Sequence, residues 1–447
     1  MKILAIKLRA IGDSVIWTSA LRRLHDELSA QKARVEGLPP TKSLPESNGI
    51  APEIHLLTYE SNRDVFVGLD YVSKFHGLPD KSKLTLIRKL WSLRGENFDW
   101  LLGFHATTSL CRWAWLVSAK QMALHHHSWP DRTPLGSINV PGAGRLEDAI
   151  TRDHRVVEAM MRHLKVRHAN DKPSATSTIN ISNTQFHPPE LSKTGLESNR
   201  FEVSTSSDSR TQLGPGPVNI SSPSKPSIHS QSLDFSQPVT SQTVSSPLAT
   251  IRTPTSHPTT QLIVTPVEAE SAEARVRHAI EIAGGDHTRP RLAFLPGAGH
   301  HLRRYPKDLW WPLVLRARDQ ALVICDSALA REWNLPQECA ENKIPLVVTS
   351  TLREFITTIS RAQAAMANDS GPGHMAVALG LPTTFLFGPG CVGDWHCYDP
   401  QKNPVFWAPV DCRSQGPRDQ AKFQFCTVDQ CEHHTCMRSL QVQLPSV

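Results

Sequence analysis

A stretch of one hundred residues in the middle of this chain decides how the rest can fold. Residues 171–270 contain 46 Ser, Thr or Pro and no Trp, Tyr or Cys. That composition cannot bury enough apolar surface to offset the entropy of ordering a backbone, so the segment reads as a disordered linker or insertion. On either side lies an apolar-patterned stretch of ordinary domain size. The chain therefore divides into 1–168, 169–270 and 271–447. Its overall hydrophobic share is 39%, below the roughly 45–50% of globular proteins, and the central segment accounts for the difference.

Both flanks alternate short apolar runs with helical periodicity. Residues 3–8 are short and apolar enough for a buried parallel strand. They give way to Ala10-Ile11-Gly12-Asp13-Ser14, a tight turn carrying helix-capping residue types. Val15, Ile16, Ala20, Leu21 and Leu24 follow at helical spacing, strands read at 54–59, 99–104 and 121–125, and helices at 110–117 and 154–164. The second flank opens with a helical pattern from 271. It continues with strands at 291–295, 322–325, 364–367 and 383–387 and helices at 352–361 and 374–379. Such alternation predicts an α/β chain with a parallel, doubly wound sheet in each flank.

Composition excludes several classes of function. No run of about 18 apolar residues exists, so no membrane-spanning helix is expected. Lys7 and Arg9 interrupt the first apolar residues too early for a secretory signal, which makes the cytosol the default address. Nine cysteines, an odd number, do not suggest a disulfide framework. The net charge is +6, or +8 once the central segment with its 6 basic and 8 acidic residues is set aside. That balance suits a phosphate-bearing partner, but no Lys/Arg run is dense enough for nucleic acid. A P-loop and an Asp-x-Asp pair are both missing.

Three runs carry chemistry. Asn368-Asp369-Ser370-Gly371-Pro372-Gly373-His374 joins a strand to a helix. There Ser370 can cap, Pro372 suits the first turn, and the glycines let backbone amides approach an anion, with His374 projecting toward it. Taken alone, the pattern also fits a capped helix with no ligand. Its letters satisfy G-x-G-x-x-A, but the ribose-binding acid of a dinucleotide site does not follow. Pro296-Gly297-Ala298-Gly299-His300-His301-Leu302-Arg303-Arg304 sits after another strand and offers two guanidinium groups to a diphosphate. Gly12-Asp13 puts a carboxylate after the first strand, where it could serve as a general base or simply as a helix cap. His125-His126-His127 is a poor metal site, since alternate strand residues face opposite ways. The tail residues Cys412, Cys426, Cys431, His433, His434 and Cys436 have zinc-ligand types without paired C-x-x-C spacing.

Together these runs resemble glycosyltransferase family 9, the heptosyltransferases of bacterial lipopolysaccharide assembly. KILAIKLRAIGDSVIWTSALRRL is similar to the family's opening, LPGAGHHLRRYPKDLWWPLV to its phosphate-binding segment, and NDSGPGHMAVALGLPTTFLFGPG to its signature. The resemblance implies a GT-B-like fold, two Rossmann-like domains facing a central cleft, with no cofactor. It also implies metal-independent, inverting transfer of heptose from ADP-heptose to a lipopolysaccharide inner-core acceptor. Asp13 would be the base. Arg303, with Arg304 beside it, would neutralise the donor diphosphate, and Asp369, Ser370, Gly371, Gly373 and His374 would surround diphosphate and sugar. Glu332 matches an acid near the nucleoside ribose. Another nucleotide-sugar donor, or a catalytically silent sugar-nucleotide or glycan-binding protein, is the alternative. An amphipathic acceptor also suggests peripheral contact with the inner face of the cytoplasmic membrane.

Overall fold

In the computed structural model, residues 1–35, 52–125, 137–140, 147–170, 259–289, 291–417 and 419–445 are described. Most of the expected linker lies outside them. The apolar run after Lys2 forms β1 (Lys2–Ile6), buried from Ile3 onward. Five further strands join it: β2 (Glu53–Tyr59), β3 (Lys74–Leu78), β4 (Trp100–Gly103), β5 (Gln121–Leu124) and β6 (Ile138–Asn139). All pairings are parallel, in the order β3-β2-β1-β4-β5-β6, with Ile3 opposite both Ile54 and Trp100.

The second half repeats the plan with β7 (Leu292–Leu295), β8 (Ala321–Asp326), β9 (Leu346–Thr349), β10 (Ala364–Asn368), β11 (Thr383–Phe387) and β12 (Val405–Trp407). Their order, β12-β11-β10-β7-β8-β9, is again parallel throughout. Counted from the first strand of each half, the two sheets have one order, that of doubly wound nucleotide-binding folds. The expected strands and sheet class thus appear, and β3, β6, β9 and β12 are added to them.

The two halves belong to one compact unit and meet through two helices, Ile11–Val35 after β1 and Gly371–Ala378 after β10. Their starts abut. A Cβ on Gly12 would stand 2.9 Å from His374 Cδ2 and 3.3 Å from Gly371 Cα, so only glycine allows this approach. Behind it, the fully buried Trp17 packs edge-on to Phe66 and against Phe104.

Order resumes earlier than the composition suggests. Leu262 is buried, Gln261 N–H donates to Thr18 Oγ1 at 2.9 Å, and Leu262 N–H donates to the Ala378 carbonyl at 3.1 Å. The helix Pro266–Ala283 then starts on a reciprocal Thr265–Glu268 capping box. The boundary expected at 271 therefore moves back to 259. The short apolar run Leu262-Ile263-Val264 sits within an otherwise polar stretch. Among the described residues, no helix is long and apolar enough to cross a membrane.

Candidate functional site

The carboxyl ends of the two sheets face one another where the Gly12 and Gly371 turns touch, and the three sequence runs converge there. Asn368, the last residue of β10, is fully buried. Its side-chain amide donates to the Pro296 carbonyl at 2.8 Å, and its Oδ1 accepts from Tyr305 N–H at 2.9 Å. Asn368 thus fastens the Pro296–Tyr305 loop to the signature turn. Ser370 adds a second tie, its hydroxyl donating to the Gly297 carbonyl at 3.0 Å. Ser370 stands at the N-cap position, yet its side chain makes no capping bond to the helix it precedes. The start of that helix is left without a side-chain acceptor, the arrangement in which backbone amides meet an anion.

Asp369 is the electrostatic centre. Its side chain is 2% exposed, its Oδ2 accepts no hydrogen bond, and the nearest cation is Arg303 Nη1 at 3.6 Å. Burial pushes its carboxyl up to about 6, against the pull of Arg303 and Arg413, and Asp13 adds a like charge. A Cβ on Gly390 would lie 1.9 Å from Asp369 Oδ2, so the Phe387-Gly388-Pro389-Gly390 turn closes directly over this carboxylate.

Arg303 remains 41% exposed and free to turn toward a ligand. It borders a cavity of about 350 Å3 together with His300, Gly390, Asp394, Trp395 and Val428. Arg304 faces elsewhere. It forks onto Glu332 through Nη1 at 2.9 and 2.7 Å, and its Nε donates to the Ala298 carbonyl at 3.4 Å. The expected pair of diphosphate cations is therefore one open guanidinium and one already engaged, and Glu332 is the residue that engages it.

Asp13 lies within the first turn of its helix and not ahead of it, and its Oδ1 is buried without a hydrogen-bond partner. His374 is buried and neutral, its imidazole brought down to about 3 by loss of water, with His396 and Arg303 adding to the effect. Its Nδ1 meets Tyr398 Oη at 2.7 Å, and Gly12 packs beside its ring. The side chain therefore belongs to the floor of the cleft and does not supply a cation. Gly373 packs on Phe385, where a Cβ would stand 2.4 Å from the ring.

Residues that the sequence did not single out complete the site. Arg413 is 2% exposed, donates through Nη2 to the Gly388 carbonyl and, at 3.1 Å, to that of Gly390, and lies over Trp407. It holds the turn that covers Asp369. Across the cleft, Lys7 Nζ bonds Asp153 Oδ2 at 2.5 Å, and Arg152 Nη1 reaches Asp394 Oδ1 at 3.3 Å. Burial and the charges of Arg9, Arg152 and Lys7 hold the neighbouring His105 imidazole far below its ordinary range. Of the suggested metal ligands, His126 and His127 lie outside the described residues, Cys412 and Cys431 are exposed and Cys436 is buried. Among the described residues, no three His, Cys, Asp or Glu side chains form a metal-holding group.

The chain resembles known proteins in sequence and in fold. Residues 235–418 match glycosyltransferase family 9 (heptosyltransferase). Lipopolysaccharide heptosyltransferase 1 of Pseudomonas aeruginosa is 29% identical over 112 residues, 24% of this chain. That match spans 32% of the relative, about a third of its length. The solved glycosyl transferase family 9 protein of Veillonella parvula superposes with a TM-score of 0.52 at 12% identity, covering 90% of this chain and 84% of that one. ADP-heptose lps heptosyltransferase II of E. coli gives 0.52 at 16% identity, covering 91% of each chain. At these identities the structural likeness speaks for the fold, which is GT-B-like.

Proposed function

We propose that this chain, which carries a glycosyltransferase family 9 domain, is an inverting and metal-independent glycosyltransferase. In this reading it moves heptose from ADP-heptose to a sugar of the lipopolysaccharide inner core. One observation carries the proposal: the unbonded Asp13 oxygen and the Arg303–Asp369 pair converge where two helix starts meet. The matched relatives are named for lipopolysaccharide and ADP-heptose.

In this reading the donor diphosphate lies against the start of the Gly371 helix with Arg303 opposite. Asp13 accepts the proton of the acceptor hydroxyl as its oxygen attacks the anomeric carbon. The bond from that carbon to the phosphate oxygen breaks on the opposite face, and ADP leaves with the electron pair, which inverts the centre. Negative charge grows on the departing diphosphate, where the Arg303 guanidinium, once turned onto it, and the uncapped amides stabilise it most. Glu332, oriented by Arg304, would receive the ribose hydroxyls. Asp369, already under-bonded, would use its free oxygen on the donor or on Arg303 as it swings inward.

The test is a panel of nucleotide-sugars scored by ligand-induced stabilisation, followed by turnover with truncated lipopolysaccharide cores. ADP-heptose should stabilise most and release ADP only with acceptor present. Preferential stabilisation and turnover with another nucleotide-sugar would reassign the donor. Tight binding without ADP release would make the protein a sugar-nucleotide binder.

A further inference from the structure

On the N-terminal sheet, the helix Lys83–Ser92 packs against the helix Thr108–Trp113 and the turn Ala114–Val117. It buries Leu86 and Leu90 inward. Leu84, Arg88 and Trp91, spaced i, i+4 and i+7, share the opposite face. Leu84 and Trp91 are each 57% exposed, and Trp115 on the adjoining turn is 54% exposed. Scattered apolar side chains are normal on a protein surface, but two open tryptophans and a leucine on touching elements are not.

Charge marks the same place. From Lys81 to Arg94 the chain holds Lys81, Lys83, Arg88, Lys89 and Arg94 and no carboxylate. From Trp100 to Ala119 its one charged residue is Arg112. The nearest acids are already occupied. Asp80 accepts from Ser82 N–H and Thr85 Oγ1, Glu96 pairs with Lys2 and Lys74, and Asp99 pairs with Lys120. Arg94 lies over the Trp91 ring at 5.2 Å.

We infer that this strip docks the protein on an anionic lipid bilayer, with Leu84, Trp91 and Trp115 entering the headgroup layer between Lys83, Arg88 and Arg112. Tryptophan combines an apolar body with a polar edge and prefers that layer, while the cations meet lipid phosphates. A nucleic-acid groove would not need the exposed leucine on the helix crest, and the tryptophans among charges of one sign suit an anionic headgroup layer. The inference deepens the glycolipid-acceptor reading and rests on it. β1 and β4 are parallel neighbours, so the chain leaving β4 toward Thr108 emerges at the edge that presents Asp13, whereas Trp91 and Trp115 lie toward the amino ends of β4 and β5. The strip therefore runs along the outer side of the N-terminal sheet, with its Leu84 end toward the Asp13 edge.

The full chain should sediment with vesicles containing phosphatidylglycerol and not with phosphatidylcholine alone, and about 0.5 M salt should release it. Trp91→Ser with Trp115→Ser, and separately Arg88→Glu with Arg112→Glu, should each weaken retention at least about tenfold. Turnover on a delipidated, water-soluble core acceptor should be unchanged in both. Equal binding to neutral vesicles, or full retention of both double variants, overturns the assignment. So does a change in self-association without a change in vesicle binding, which would seat a second copy of the chain on the strip. Transfer to the soluble acceptor without any vesicle binding removes the docking surface alone. Vesicle binding without transfer from any nucleotide-sugar removes the proposed activity and leaves the surface standing.

Discussion

The two halves share a strand order, yet they prepare their carboxyl edges in different ways. Among the described residues of the N-terminal half, Lys7 meets Asp153 at 2.5 Å and Arg152 meets Asp394 at 3.3 Å, although Nε and Nη2 of Arg152 stay unbonded. In the C-terminal half the buried Asp369 has Arg303 at 3.6 Å, a more distant pull from Arg413, and one oxygen that accepts nothing. A paired buried charge is a finished piece of architecture, whereas an under-bonded one is carried at a cost in stability and points to a ligand. The Lys7–Asp153 pair is built to stay as it is, whereas Asp369, like Asp13 opposite it, is left to be completed.

The contrast can be broken most sharply at Asp13, the N-terminal acid without a bonded partner for Oδ1. Asp13→Ala should lower transfer by about 10²–10⁴-fold while nucleotide-sugar affinity stays nearly constant, read by ADP release and calorimetry. A near-normal rate would leave the N-terminal edge purely architectural. Next, Lys7→Met should cost about 3–5 kcal/mol in urea unfolding by stranding Asp153, and Lys7→Met with Asp153→Leu should recover most of it. A loss below about 1 kcal/mol in the single variant would contradict a finished pair.

Asp369 should behave in the opposite sense. Its carboxyl titrates at about 6 when folded against an ordinary 3.8, so ionising it above that pH costs stability that is fully present below the ordinary value. Asp369→Asn should therefore raise stability at pH 8 by roughly 2–3 kcal/mol, a gain that fades toward about pH 4, while donor binding weakens. A loss of stability at pH 8 would show the carboxylate to be as well paired as Asp153. The smallest effect belongs to Arg303→Ala, expected to weaken nucleotide-sugar binding by about 1–3 kcal/mol, with Arg304→Ala costing less because Glu332 holds that guanidinium. Equal losses in isothermal titration would assign both cations to the diphosphate.

What the sequence revealed follows the range of the interactions involved. The cores of β1, β10 and β11 were readable because strands buried on both faces are continuous apolar runs. β3, with Lys74, His76 and Gly77, has no such run and is recognised only through its pairing with β2. Asp13, Arg303 and the 369–374 turn were found because strand end, turn and helix start are consecutive in the chain. Arg413 and Tyr398 were not, because each acts on a partner about 25 residues away, and Arg152 contacts an acid 242 residues away. Arg304 and Glu332 are each legible in the sequence, but 28 residues separate them and only the fold joins them.

The short strand of chain at 260–263 ties the assembly together. Gln261 is stitched to Thr18 on one side, Leu262 to Ala378 on the other, and Arg353 reaches the Ile263 carbonyl at 2.6 Å. A seam fixed to both lobes acts as a pivot, where displacement is least and from which it grows with distance. Beside this seam, and beside the Gly12–Gly371 contact, the two halves have the least room to part.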